Sequence, residues 1–151
     1  MIVRQLHTFR GGVADTSTLI YLERLELLPL ALQVFDLFLI PPVIAEYGSQ
    51  PAGAVPVPTP GAGRTDHLVC RTAQSLGRPV LSEDKQVLRR ARRLDLEYYN
   101  TLMLALCAQG HLPLETFSRL RARLCGFARY GAAVLAVGDA VYQGLLEQTR
   151  S

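Results

Sequence analysis

Four acidic residues, Asp15, Glu46, Asp66 and Asp84, stand where apolar runs give way to helical patterns. A short apolar run ends at Asp15, the run Asp36-Leu37-Phe38-Leu39-Ile40 ends at Pro41-Pro42 with Glu46 one turn beyond, and Arg78-Pro79-Val80-Leu81-Ser82 leads into Glu83-Asp84. Open α/β sheets bind ligands outside the carboxyl ends of their strands, so acids just past three strand ends of a parallel sheet share one side of it. Asp66 opens a helix after a loop and can join them. Four carboxylates in one place suit a hard divalent cation, magnesium or manganese, and repel one another without it. Taken singly, each has a plainer reading. Asp15, Asp66 and Asp84 are ordinary helix caps, Ser17 is placed to cap the helix after Asp15, and Glu46 fits a solvated helix face.

The elements that must position these acids alternate in kind. Apolar spacing from Ser17 predicts a helix, and Leu30 to Phe35 predicts a second short one after Pro29. Asp36 to Ile40 reads as a buried parallel strand, and Pro42 opens a helix carrying Glu46. The stretch from Gln50 to Gly63 holds Pro51, Pro56, Pro58 and Pro60 and is expected to be a surface loop with no regular element. Thr65 to Leu76 is helical, with Leu68, Val69, Thr72, Ala73 and Leu76 inward and Gly77 as its stop. Val80 and Leu81 form a strand. The helix that follows has Val87, Leu88, Ala91 and Leu94 on one face and Arg89, Arg90, Arg92 and Arg93 on the other. Leu96 to Asn100 predicts a further strand, followed by helices over 101–108, 113–127 and from Asp139. Alternating strands and helices argue an α/β fold, a three-layer α/β/α sandwich on a central, mostly parallel sheet. Gly11-Gly12 is expected to mark a break between an N-terminal arm, residues 1–12, and a single domain over 13–151.

The 151 residues suffice for a core without staples, and 49% of them are hydrophobic. The net charge of +3 is carried almost wholly by arginine, whose planar fork suits phosphate oxygens but serves solubility equally well. Cys70, Cys107 and Cys125 sit in apolar patterns with no C-x-x-C pair, and they read as reduced core residues of a cytoplasmic protein. His7, His67 and His111 lack ligand spacing to any cysteine. Neither a signal peptide nor a membrane span is expected.

The acids and their surroundings, in order, resemble the PIN-domain family of small metal-dependent nucleases. The matching stretches are Val13-Ala14-Asp15-Thr16-Ser17-Thr18-Leu19-Ile20, Ile40-Pro41-Pro42-Val43-Ile44-Ala45-Glu46, Gly63-Arg64-Thr65-Asp66 and Val80-Leu81-Ser82-Glu83-Asp84-Lys85. Together they span most of residues 13–112, and the tail from Tyr99-Asn100-Thr101 resembles a subfamily with a Gly-Thr strand end and two further helices. The resemblance implies a catalytic and metal-binding quartet of Asp15, Glu46, Asp66 and Asp84, with Ser17 aiding metal or substrate binding and one or two Mg²⁺ or Mn²⁺ ions. It implies hydrolysis of RNA phosphodiesters, and by the habit of many bacterial members a toxin with an antitoxin partner and a homodimer. Two positions depart from the pattern: Arg64 stands beside the third acid, and Asn100 replaces a common glycine. Glu83 is an alternate fourth acid. The arginine face reads either as solvated surface or as a phosphate contact; its place beside Asp84 favours RNA, with Arg89 and Arg93 as substrate contacts. Two rival readings remain: a catalytically weak PIN-like module that binds nucleic acid or a partner protein, and a metal phosphohydrolase acting on small phosphate esters.

Overall fold

The structure, a computed structural model, describes residues 9–101 together with 103, 104, 119 and 122. The arm to residue 8, most of the helices expected over 101–108 and 113–127, the last helix, His7, His111, Cys107 and Cys125 lie outside the described residues. The chain divides into two compact units, residues 10–101 and a second made of 1–9 with 102–151. All elements below belong to the first.

In chain order these are β1 (Gly11–Ala14), α1 (Thr16–Arg24), α2 (Leu28–Val34), β2 (Asp36–Leu39), α3 (Pro41–Tyr47), β3 (Val55–Pro56), α4 (Thr65–Leu76), β4 (Val80–Leu81), α5 (Lys85–Arg93) and β5 (Tyr98–Tyr99). The strands form one parallel sheet in the order β3-β2-β1-β4-β5. Val13, Ala14, Leu37, Leu39, Val80 and Leu81 are fully buried, as continuous apolar strands covered on both faces must be. Helices α1, α2 and α3 pack among themselves and on β2, while α4 and α5 pack together and on β1, β4 and β5. The result is the expected three-layer α/β sandwich. Among the described residues no helix is long and apolar enough to cross a membrane.

The order of strand addition reverses at β1: β2 and β3 are laid down on one side of it and β4 and β5 on the other. Such a switch point opens a crevice at the carboxyl ends of the two central strands. Here it opens between β1 and β4, where Ala14 pairs with Leu81 and the Asp15 amide donates to the Leu81 carbonyl at 2.8 Å.

Three local expectations are corrected. The Gly11-Gly12 pair is the first half of β1, so the arm boundary after residue 12 falls inside a strand. The glycines are needed for close approach of neighbouring backbones: a Cβ on Gly11 would lie 2.1 Å from the Asp36 carbonyl oxygen, and one on Gly12 would lie 2.4 Å from that of Pro79. The proline-rich loop does contain a regular element, β3. It pairs with β2 on one side only, and an edge strand tolerates Pro56 because no partner needs the missing N–H there. Leu76 is exposed, because Gly77 turns left-handed and ends α4 just beyond it.

A candidate active-site cleft

Asp15, Glu46, Asp66 and Asp84 come from four different elements and line one cleft of 460 Å³, together with Thr16, Ser17, Arg64, Thr65 and Gln86. All four line this one cleft, which is less than meeting at a common ion. Glu83 is not among the lining residues. Its carboxylate accepts from the Thr101 amide, which places it on the β5 side of the loop.

Asp15 occupies the N-cap position of α1 but makes no side-chain cap hydrogen bond. Its carboxylate instead accepts from Ser82 Oγ at 3.0 Å and Ser17 Oγ at 3.3 Å, and the residue is only 7% exposed. Burial pushes its carboxyl above the ordinary value of 3.8, against the lowering effect of Ser82 and the Thr16 amide; the nearby Asp84 charge raises it further, and Ser17 lowers it. Ser17 does not cap the helix either. Its hydroxyl accepts from the Glu83 amide at 3.0 Å and so reaches across to the β4 loop. Ser82, fully buried, accepts from the Asp84 amide at 2.9 Å. The two strand ends are therefore joined crosswise, Asp15-x-Ser17 on β1 against Ser82-x-Asp84 on β4.

Asp84 does cap its helix: Oδ1 accepts from the Gln86 amide at 2.7 Å and the Val87 amide at 3.3 Å. Glu46 accepts from Thr16 Oγ1 at 2.8 Å and Thr65 Oγ1 at 3.0 Å, which ties α3 to the starts of α1 and α4. Asp66, in the first turn of α4, is the acid with cationic partners. Arg64 Nε lies 3.2 Å from Oδ1 and Arg90 Nε 3.8 Å from Oδ2. Arg64 also donates to Gln86 Oε1 at 3.2 Å, and Arg90 Nη1 lies 3.2 Å from His67 Nδ1.

A smaller groove of 190 Å³ adjoins the cleft, lined by Arg64, Asp66, Gln86, Arg89, Arg90 and Arg93. Residues 86, 89, 90 and 93 share one helix face, opposite the buried Val87 and Ala91, whereas Arg92 falls outside it.

Sequence reasoning passed over Ser82, Thr16, Thr65 and Gln86 and gave Arg90 no particular partner. For Ser82 a signal exists. A hydroxyl residue two positions before an acid at a strand end forms a local turn onto the backbone amide, and the spacing mirrors Asp15-x-Ser17. Nothing local marks Thr65 or Arg90, whose partners are set by how α3, α4 and α5 pack.

Among the described residues of the lining the donors are carboxylates, hydroxyls and the Gln86 amide, with no thiol or imidazole, the hard-oxygen kind that magnesium and manganese prefer. As they stand, the acids each engage a neighbour of their own. Among the described residues no three acidic, histidine or cysteine side chains are close enough together to hold one ion. The sequence matches no protein-family model and none of the curated proteins.

Proposed function

We propose that the protein is a metal-dependent endoribonuclease of the PIN type. The observation that carries this reading is the convergence of Asp15, Glu46, Asp66 and Asp84 on one cleft at the switch point of a parallel sheet. A basic groove beside it supports a phosphodiester rather than a neutral substrate. Asp15, Glu46, Asp66 and Asp84 would hold a Mg²⁺ or Mn²⁺ ion, which supplies a bound water of lowered pKa and neutralises charge on the phosphate. Asp15 is the fixed member of the set, held by Ser17 and Ser82 in a buried position. Asp84 is oriented by its cap bonds, and Glu46 is poised between two threonine hydroxyls that can release it. The toxin role, an antitoxin partner, a homodimer and action in the cytoplasm are expectations carried by the sequence alone.

The rival reading, a catalytically weak module that binds nucleic acid or a protein, is favoured by one specific observation: Arg64 already neutralises Asp66. Cleavage of single-stranded RNA in Mn²⁺ by the wild type and by Asp15→Asn separates the two. Cleavage lost in the variant supports the nuclease. No cleavage by the wild type, with RNA binding retained, supports the module. Cleavage suppressed by small phosphate esters, which are themselves hydrolysed, supports the phosphohydrolase instead.

A further inference from the structure

We propose that the groove on α5 is a second phosphate subsite, which holds the phosphate next to the one cleaved and makes the substrate a polynucleotide strand rather than an isolated phosphodiester. The assignment of cleavage to the neighbouring cleft rests on the nuclease reading above; the phosphate site itself does not.

The two depressions share Arg64, Asp66 and Gln86, so a strand leaving the cleft enters the groove directly. Within the groove four guanidinium groups face one carboxylate. That carboxylate, Asp66, is occupied by Arg64 and Arg90, and Arg90 is further held by His67. Arg89 and Arg93 have no ion-pair or hydrogen-bond partner among the described residues, so the groove's uncompensated positive charge sits on those two. One helical turn separates them on α5, with Arg90 between them in sequence and itself lining the groove. Guanidinium forks bind phosphate oxygens in pairs, and two unpartnered forks one turn apart beside the cleft suit a phosphate of the same strand.

The groove, at 190 Å³, is smaller than the roughly 300 Å³ at which pockets that enclose drug-sized ligands begin. Among the described residues no aromatic side chain lines either depression, so these residues offer no stacking platform of the kind by which single-stranded bases are held. The strand is therefore gripped by its backbone, and the site is tolerant of base sequence.

The test uses oligouridylates, oligoadenylates and oligocytidylates in Mn²⁺, from the dinucleoside monophosphate upward, with wild type and the double variant Arg89→Gln, Arg93→Gln. Glutamine keeps the helix propensity of arginine, so α5 is retained. Wild-type kcat/KM should rise about tenfold from the dinucleoside monophosphate to the trinucleotide, the size of one charge-assisted contact, in all three base series. In the double variant that step should shrink to about twofold or less. Cleavage with no step in the wild type, or with the same step in the variant, overturns the subsite. If no oligonucleotide is cleaved, the nuclease reading fails, and binding decides the subsite by itself. The affinity of a labelled oligouridylate is then measured against salt in chelator. A slope smaller by about 0.7 in the double variant, one phosphate contact on a single strand, supports the groove, and equal slopes overturn it.

Discussion

Replacing Arg64 by alanine should move two affinities in opposite directions, tightening the divalent cation and loosening RNA. Arg64 Nε lies 3.2 Å from Asp66 Oδ1, while the arginine side chain is 72% exposed and the aspartate 15%. At that distance two unit charges attract by about 1.3 kcal/mol in a water-like dielectric. After the side-chain entropy that an exposed pair gives up, about 0.2–1 kcal/mol survives. A cation that must take Asp66 from Arg64 is opposed by that amount, so the variant should bind Mn²⁺ about 1.4- to 5-fold more tightly. Arg90 stays 3.8 Å from the other carboxylate oxygen, which holds the gain to the lower part of the range. The same guanidinium lines both the cleft and the groove, and its loss should lower the salt slope of single-stranded RNA binding by about 0.7. Calorimetric titration with Mn²⁺ in metal-free buffer reads the first effect, and fluorescence anisotropy of labelled RNA in chelator reads the second. A variant that binds Mn²⁺ no more tightly than wild type, with Mn²⁺ binding observed in both, refutes the competition between Arg64 and the ion. Wild type that binds no Mn²⁺ at all refutes the metal centre.

Four further outcomes are expected. Burial raises the Asp15 carboxyl, so the native protein holds that proton more tightly than the unfolded chain does; stability is lost as pH climbs from 3.8 through the raised native value, and the full cost is present above it. Asp15→Asn should abolish cleavage and remove this loss, so urea melts at about pH 4 and 7 should show wild type weakening relative to the variant as pH rises; an unchanged difference refutes it. Asp84→Asn should lose cleavage yet melt within a few tenths of a kcal/mol of wild type, because asparagine caps a helix as well as aspartate, whereas Asp84→Ala should lose about 0.5–2 kcal/mol. Glu83→Gln keeps an acceptor for the Thr101 amide and should leave cleavage nearly intact; a loss equal to that of Asp84→Asn would give Glu83 the fourth role. Gly12→Ala should cost about 1–3 kcal/mol or more in chemical denaturation, since its Cβ would meet the Pro79 carbonyl oxygen at 2.4 Å and force β1 from β4.

Much of the fold is legible because its signals are local. Buried runs such as Leu37 to Ile40, and helices closed by Gly48 and Gly77 in left-handed caps, follow from periodicity and breaker residues alone. What escaped depends on distant chain. Gly11 and Gly12 look like a break until Asp36 and Pro79 arrive beside them, and Pro56 looks like a strand breaker until β2 leaves it an unpaired edge. The acids were legible as a set because each follows a strand end or opens a helix. Their electrostatics were not. Mutual repulsion without a cation was the expectation, but Arg64 and Arg90 supply Asp66 with positive partners, and the second of these comes from α5, more than twenty residues away. The strain falls on Asp15 instead, through burial first and the Asp84 charge after it.

That division matters for the proposed chemistry. Asp15 and Asp84 are fixed by bonds that cross between β1 and β4: Ser82 holds the Asp15 carboxylate and the Asp84 amide at once, and Ser17 holds the Glu83 amide from the opposite side. These are buried or half-buried contacts whose loss leaves polar groups unsatisfied, so they resist rearrangement. Glu46 is tied by exposed hydrogen bonds from two half-buried threonines, and Asp66 by an exposed guanidinium and a longer contact to Arg90, contacts that water and salt already weaken. A cation entering the cleft meets two carboxylates in place and two that can be traded at small cost. The partner released in one trade, Arg64, already borders the groove where a phosphate would lie. On the proposed reading, metal binding and substrate binding would be coupled through one side chain, and the sign of the Arg64→Ala experiment follows from that coupling rather than from either site alone.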